Sequence, residues 1–293
     1  MSNIRSLSPA DLRDLLPQRP ARSNKSTFGR VVAVCGSQGM CGAAYFAAKA
    51  AYRTGCGLVE IVTPEQNRVP LQTMLPEAIV TCYDSATPDR RIISDAVRRA
   101  DAVVAGCGLG TSLTSIKVLS MTLEATHVPI VLDADALNIL AAAPSLGDAL
   151  RAPAVITPHP GEMSRLVGIS INDVLSNTPA LAQSFAAKHG IVCLLKDHKT
   201  AISDGTDTYI NQFGNSGMAT GGSGDVLAGI VAALLAQSKN IPNASMTDLA
   251  ALCKTAALGA LIHSLAGDRA ADHLGEYSVM ASDIIDALPY ILQ

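Results

Sequence analysis

The chain repeats one local pattern along most of its length: a short apolar, β-branched run, a glycine-containing turn, then a helical stretch. The runs are Arg30–Cys35, Leu58–Val62, Ala78–Cys82, Asp101–Ala105, Pro129–Leu132, Ala154–Thr157 and Ile191–Leu195, and each predicts a strand. Polar and apolar residues do not alternate within them, so both faces of each strand must be covered. That implies a mainly parallel central sheet between helix layers, a three-layer α/β fold. Helices are expected at Gly42–Thr54, Ser112–Ala125, after Asp135, and at Pro179–His189. Asp204-Gly205 predicts a hairpin turn between Thr200–Ser203 and Thr208–Asn211. From Asp225 onward the pattern is almost entirely helical. Residues 1–28 read as a helical arm (Pro9–Leu16) with a polar, proline-containing linker, and residues 29–293 as one domain. In such sheets, ligands bind beyond the carboxyl ends of the strands.

Composition narrows the function classes. Of the 293 residues 48% are hydrophobic and 16% charged, which excludes a largely disordered chain. The apolar stretches Val226–Ala236 and Thr255–Ala266 are too short or too interrupted by polar residues to predict a bilayer span. The N-terminus has no signal-peptide core, so a cytoplasmic protein without a membrane partner is expected. Net charge is −3 with acids and bases scattered, and only six Tyr and four Phe are available for base stacking. No nucleic-acid partner is expected, and an anionic ligand must be held locally, by backbone amides and a few placed cations. Seven cysteines without a CxxC pair read as reduced, buried small residues. Six histidines without HxxxH or HExxH spacing give no expectation of a zinc site.

The sharpest chemical signal is Asn215-Ser-Gly-Met-Ala-Thr-Gly-Gly-Ser-Gly-Asp225, running into an apolar helix with hydrophobic residues at 226, 227, 230, 231, 234 and 235. Asp225 then sits in the first helical turn. Gly221, Gly222 and Gly224 let the backbone turn sharply and approach a ligand closely. The free amides and positive dipole end of a helix start form an anion site. A carboxylate beside an anion site is a poor design for binding alone. It suits an acid that accepts a hydroxyl proton while the amides hold a phosphoryl group in transfer. For a bare GxGD, a glycine turn with an ordinary acid at the helix start is the bland reading; the eleven-residue context argues against it.

Several segments, in order, make the chain from Gly29 to Leu288 resemble the ribokinase-like ADP/ATP-dependent NAD(P)H-hydrate dehydratases. NSGMATGGSGD resembles that family's anion-hole segment. Gly36-Ser-Gln-Gly-Met-Cys-Gly-Ala-Ala44 with Arg53-Thr-Gly-Cys-Gly-Leu-Val59 resembles its first glycine-rich segment, and Pro76-Glu-Ala its PEA element. Ala105-Gly-Cys-Gly-Leu-Gly110 resembles its AGPGLG loop, with cysteine in place of proline. Val131-Leu-Asp-Ala-Asp-Ala-Leu-Asn138, Thr157-Pro-His-Pro-Gly-Glu-Met163, Ala266-Gly-Asp-Arg-Ala-Ala271 and Glu276-Tyr-Ser-Val-Met-Ala-Ser-Asp283 complete the set.

The resemblance implies a ribokinase-like fold and ADP- or ATP-dependent dehydration of (6S)-NAD(P)H-hydrate, with Mg²⁺, as a metabolite-repair reaction. It makes Asp225 the catalytic base, and Ala43, Gly108, Gly110, His159 and Asp225 the hydrate's contacts. Nucleotide contacts fall on Lys196, Asp197, His198, Lys199, Thr200, Asn215, Gly222 and Gly224, and Glu162 supports the magnesium shell through water. By spacing alone Gly106–Gly110 is equally a tight turn, and Lys196–Thr200 a solvated one. Alone, His159 is more often a structural donor than a catalyst. Asp133 and Asp135 end a buried strand; helix capping is the expectation for Asp135, and Asp133 stays open between structure and an ordered metal-bound water. Many family members carry an N-terminal epimerase domain; about 28 residues precede the core here, so a separate epimerase is expected to supply the right epimer. A homo-oligomer such as a homotetramer is expected. The rivals are a simple kinase leaving a stable phosphorylated alcohol, and a nucleotide sensor without turnover. A dehydrogenase fits less well, because GCGLG is incomplete as a dinucleotide fingerprint.

Overall fold

Val31, Val32, Ala33 and Val34 are all without solvent exposure, which explains why their strand shows no alternation. In the computed structural model, which describes residues 3–238 and 248–293, this strand belongs to a sheet whose strands are β1 (Asn3–Arg5), β2 (Arg30–Val34), β3 (Leu58–Pro64), β4 (Ile79–Tyr83), β5 (Ala102–Ala105), β6 (Ile130–Leu132), β7 (Ala154–Ile156), β8 (Val192–Leu195), β9 (Thr200–Ser203) and β10 (Asp207–Asn211). Their order is β1-β10-β9-β8-β7-β6-β5-β2-β3-β4. From β4 to β8 all neighbours are parallel. The hairpin strand β9 is antiparallel to β8 and β10, and β1 runs parallel to β10 along the edge.

Alternate residues of the buried strands serve two cores. Val31, Ala33 and Cys35 pack under helices Cys41–Arg53, Ser223–Ala236 and Leu249–Leu274. Val32 and Val34 face Arg90–Arg98, Leu113–Ala125, Asp135–Ala142 and Thr178–His189 on the other side. A third cluster lies outside the first layer, where helix Ala281–Ile291 and Leu12, Leu15 and Leu16 cover helix Ser223–Ala236. That helix is thus enclosed, and all but Gly224 and Asp225 of its 14 residues are buried.

Two expectations need revision. The apolar run Thr255–Ala266 is part of a continuous helix of 26 residues, Leu249–Leu274. By length and composition it could cross a bilayer, but 72% of its most apolar window is buried in the protein, as befits a core helix. The tail is helical as expected over Ser223–Ala236, Leu249–Leu274 and Ala281–Ile291, with residues 239–247 outside the described set. The N-terminal segment also holds a strand, β1, which has no apolar pattern of its own and exists by pairing with β10.

The topology places a crevice. From β2 the chain adds β3 and β4 on one side, then crosses to add β5 on the other. The loops leaving β2 and β5 therefore meet at a strand-order reversal, where the Gly36 amide donates to the Cys107 carbonyl at 2.8 Å.

Candidate active site at the strand ends

Helix Ser223–Ala236 begins over this crevice. Its entry residue Gly222 has φ 91°, a left-handed conformation that disfavours any side chain, and its back lies against Phe46 and Ala281. Gly224 and Asp225 occupy the first turn, where amides lack partners four residues back.

The ends of adjacent strands supply the charged centre. Asp133 follows β6 and is 1% exposed. Its Oδ1 accepts the Thr157 hydroxyl at 2.7 Å, from the end of β7, and the Lys196 ammonium at 2.9 Å, from the end of β8. Cys107, after β5, holds Sγ 3.9 Å from Asp133 Oδ2. Lys196 Nζ lies so near Gly224 that a Cβ there would stand 3.2 Å from it, so the cation is at the helix start. A phosphate at that turn would meet both backbone amides and an ammonium.

Asp225 faces this group. Burial, and then repulsion from Asp133, push its pKa up to about 7, against the opposing effects of a Cys107 hydrogen bond and the Lys196 charge. Such a carboxyl can accept a proton near neutral pH. Burial works against the Lys196 ammonium, yet Asp133 and Glu162 together hold its pKa above the ordinary lysine value. The Cys107 thiol, hydrogen-bonded to Cys35 and fully buried, is pushed well above the usual thiol range and stays protonated.

Among the described residues, Cys107, Asp133 and Asp225 have ligand atoms within 4.8 Å of one another. This donor set does not form a cage for a hard cation: one member is a protonated thiol, and Asp133 Oδ1 is already occupied. Magnesium instead binds through one or two carboxylates, phosphate oxygens and its own waters. Asp133 Oδ2, met only by the weak Cys107 thiol, and Glu162, at the start of helix Pro160–Val167, are the carboxylates that would serve that mode.

The remaining candidates fall into two groups. Ala43 and Gly108 are in contact: a Cβ on Gly108 would stand 2.7 Å from that of Ala43. The Gly110 amide donates to Asp135 Oδ2 at 2.7 Å. Asp135 is therefore not the cap of its own helix; the cap position is Ala134, at φ 50°, and the carboxylate pins the glycine loop instead. His159 is half-exposed; its Nδ1 accepts the Gly161 amide at 3.0 Å, so the proton resides on Nε2, 3.4 Å from Glu162 Oε1. Burial, then Lys196 and Arg165, lower the His159 pKa, keeping the ring neutral. Glu162 Oε2 accepts the His159 amide at 2.8 Å in a capping box, and burial raises the Glu162 pKa.

On the far side, Asp197–Thr200 forms the turn between β8 and β9, with the Thr200 hydroxyl on the Asp197 carbonyl and His198 and Lys199 exposed. Asn215 is already engaged: Oδ1 accepts the Gly217 amide of its own loop and Nδ2 donates to Asp268 of helix Leu249–Leu274. Sequence reasoning missed Thr157 and Cys107, although both lie inside motifs it singled out. Their role depends on Asp133, which only the sheet brings to them.

A crevice at a strand-order reversal, with a glycine-walled helix start facing a carboxyl poised near neutrality, defines a ribokinase-like protein. Residues 31–290 match the family model described as NAD(P)H-hydrate dehydratase, and the chain belongs to that family. A bifunctional NAD(P)H-hydrate repair enzyme of Moorella thermoacetica is 39% identical, covering 99% of this chain and 54% of its own length. The chain thus spans about half the length of such bifunctional relatives. An ADP-dependent (S)-NAD(P)H-hydrate dehydratase of Enterococcus faecalis is 35% identical over 98% of this chain and 92% of its own. The structure of an ADP/ATP-dependent NAD(P)H-hydrate dehydratase from Bacillus subtilis, co-crystallised with ATP/Mg²⁺, superposes with TM-score 0.82 at 26% identity, covering 99% and 98% of the two chains.

Proposed function

We propose that this chain dehydrates (6S)-NAD(P)H-hydrate to NAD(P)H by phosphorylating the hydrate hydroxyl and eliminating phosphate, with ADP or ATP as donor. The observation that carries this reading is Asp225, held near neutrality beside an anion-binding helix start with Lys196. Water is a poor leaving group, and phosphorylation converts the hydroxyl into a good one. The substrate oxygen attacks the terminal phosphorus and the bridging P–O bond breaks. AMP leaves when ADP is the donor. Asp225 accepts the hydroxyl proton as the transfer proceeds. Gly222 and Gly224 amides and Lys196 hold the phosphoryl oxygens. The ring nitrogen's lone pair then expels phosphate, and loss of a proton from the neighbouring carbon restores the double bond.

The half-exposed His159 and the Ala43–Gly108–Gly110 wall receive the hydrated ring. Asp197, His198, Lys199, Thr200 and Asn215 line the donor's nucleoside side, while Lys196 serves its phosphate end. Bound Mg²⁺ would neutralise phosphate charge, with Glu162 holding one of its waters. Residues 29–293 form the dehydratase domain and 1–28 an arm. A homo-oligomer, a cytoplasmic location and functional pairing with an epimerase complete the reading.

The test is recovery of NADH absorbance from purified hydrated NADH with Mg²⁺ and either ADP or ATP, for wild type and Asp225→Asn. Nucleotide-dependent recovery, collapsing in the variant, supports reaction and base together and names the donor. A stable phosphorylated product without NADH would make the chain a kinase. No reaction with folded, nucleotide-binding protein would make it a sensor.

A further inference from the structure

Helix Leu249–Leu274 meets the segment 211–223 through residues 263–268. Asn211 Nδ2 donates to the Ser264 hydroxyl at 2.6 Å. The carboxylate of Asp268 accepts the Gly214 amide at 3.0 Å and Asn215 Nδ2 at 2.9 Å. Met218 sits against Gly267, where a Cβ would collide with its sulfur. Nearest the chemistry, the His263 Nε2 stands 3.3 Å from the Ser223 hydroxyl, and Ser223 is the first residue of the helix whose start forms the anion site. Residues 263, 264, 267 and 268 follow the one-face spacing of a helix. Gly214, at φ 107°, needs this freedom to bend the loop toward Asp268.

Each end of the glycine loop is therefore tied to the same rigid helix. Asp268 holds its beginning and His263 its end, with Met218 packed between. The glycines Gly221, Gly222 and Gly224 make the loop costly to order, since glycine loses the most conformational freedom. Amides that must find their positions during transfer stabilise it less than amides already placed.

We propose that His263 and Asp268 are positioning residues that hold the anion-site loop in its transfer geometry. This rests on the proposed phosphoryl transfer, and neither residue need touch the ligands. His263 is buried, and that burial lowers its pKa to about 4, so its contribution is a hydrogen bond and a fixed ring rather than charge.

The test compares His263→Leu, His263→Gln and Asp268→Asn with wild type in two ways. Amide hydrogen exchange on the unliganded protein needs no reaction, and steady-state kinetics uses hydrated NADH with the donor that supports turnover. In His263→Leu, exchange should quicken in residues 214–225 and stay unchanged in the sheet. Its kcat should fall by about 100-fold, the scale of a 1 Å misplacement. The nucleotide KM should rise more than the hydrate KM, because of the proposed hydrate contacts only Asp225 lies in the loosened stretch, while His159, Ala43, Gly108 and Gly110 lie on other loops. His263→Gln, which keeps a nitrogen near the Nε2 position, should recover most of both. Asp268→Asn loses one of two acceptors and should quicken exchange at Gly214 and Asn215, which keeps the idea testable if His263→Leu fails to fold. Unchanged loop exchange with wild-type kcat would overturn the proposal, as would exchange quickened throughout the protein. If wild type turns over no hydrate, the proposed function fails, while the exchange pattern still decides whether the loop is held this way.

Discussion

Lys196 and Asp133 stand 63 residues apart in sequence, and their side chains meet at 2.9 Å across the ends of β6 and β8. Asp133 is almost wholly buried, whereas Lys196 keeps a fifth of its side chain exposed. Removing the lysine would leave a buried carboxylate with the Thr157 hydroxyl and the weak Cys107 thiol as its partners, and no cation. Lys196→Met should cost about 2–3 kcal/mol of stability, at or just under the foot of the roughly 3–5 kcal/mol range for a broken buried pair, because the lysine is partly in solvent. Urea unfolding measures this. Lys196→Met combined with Asp133→Asn should recover part of the loss, and a loss as large as the sum of the two single changes would show that the pair is not coupled.

Most of the sheet and the glycine-and-carboxylate segments are legible from local pattern, because apolar runs and glycine turns carry their own signal. The expected strands and the Thr200–Asn211 hairpin match the observed ones to within a residue or two at their ends. What escapes is whatever exists only through pairing across the chain. Strand β1 has no pattern and depends on the β10 edge. Asp135 carries the sequence signature of a helix start, yet its carboxylate serves Gly110 because the β5 loop lies beside it. His263 looks like an ordinary helix residue, and Asp268, although inside the Ala266–Ala271 segment, has no legible task until the loop 211–223 lies against them.

Cys107 occupies the place of proline in the family's AGPGLG pattern, and its thiol lies within 4.8 Å of the Asp225 carboxylate, close enough to favour the charged form. Hydrogen bonding to the charged form favours that form. Cys107→Ala should therefore move the midpoint of the kcat/KM pH profile upward, and Cys107→Ser, which keeps a donor, should leave it near wild type. An unshifted midpoint in the alanine variant would show that the thiol only fills space.

Gly229 marks the crossing of helices Ser223–Ala236 and Cys41–Arg53, where an added Cβ would lie 2.2 Å from the Ala47 carbonyl oxygen. Backbone cannot yield as a side-chain end can, so the helices must part. Gly229→Ala should destabilise the protein by about 1–3 kcal/mol through overpacking. Thermal melting checks it, and a rise in Tm would mean that helix propensity outweighs the contact.

Asp225 ties activity to stability in opposite senses. Its pKa is about 7 in the folded protein and near 3.8 when unfolded, so the folded state holds its proton more tightly. The protonated carboxyl is accommodated at low pH, and stability is lost as pH rises from about 4 through 7 and the buried group ionises. As the proposed base, by contrast, Asp225 would work only when deprotonated, so kcat/KM should climb through pH 7 and level off above it. Asp225→Asn removes both effects. Its activity should fall by about 10²–10⁴-fold, the usual contribution of a general base. Its stability should match wild type below pH 4 and exceed it above pH 7 by an amount on the order of a few kcal/mol. Denaturation of both proteins at pH 4 and pH 8 measures the gap. A gap that does not widen with pH would mean that Asp225 ionises in the folded protein as freely as in water.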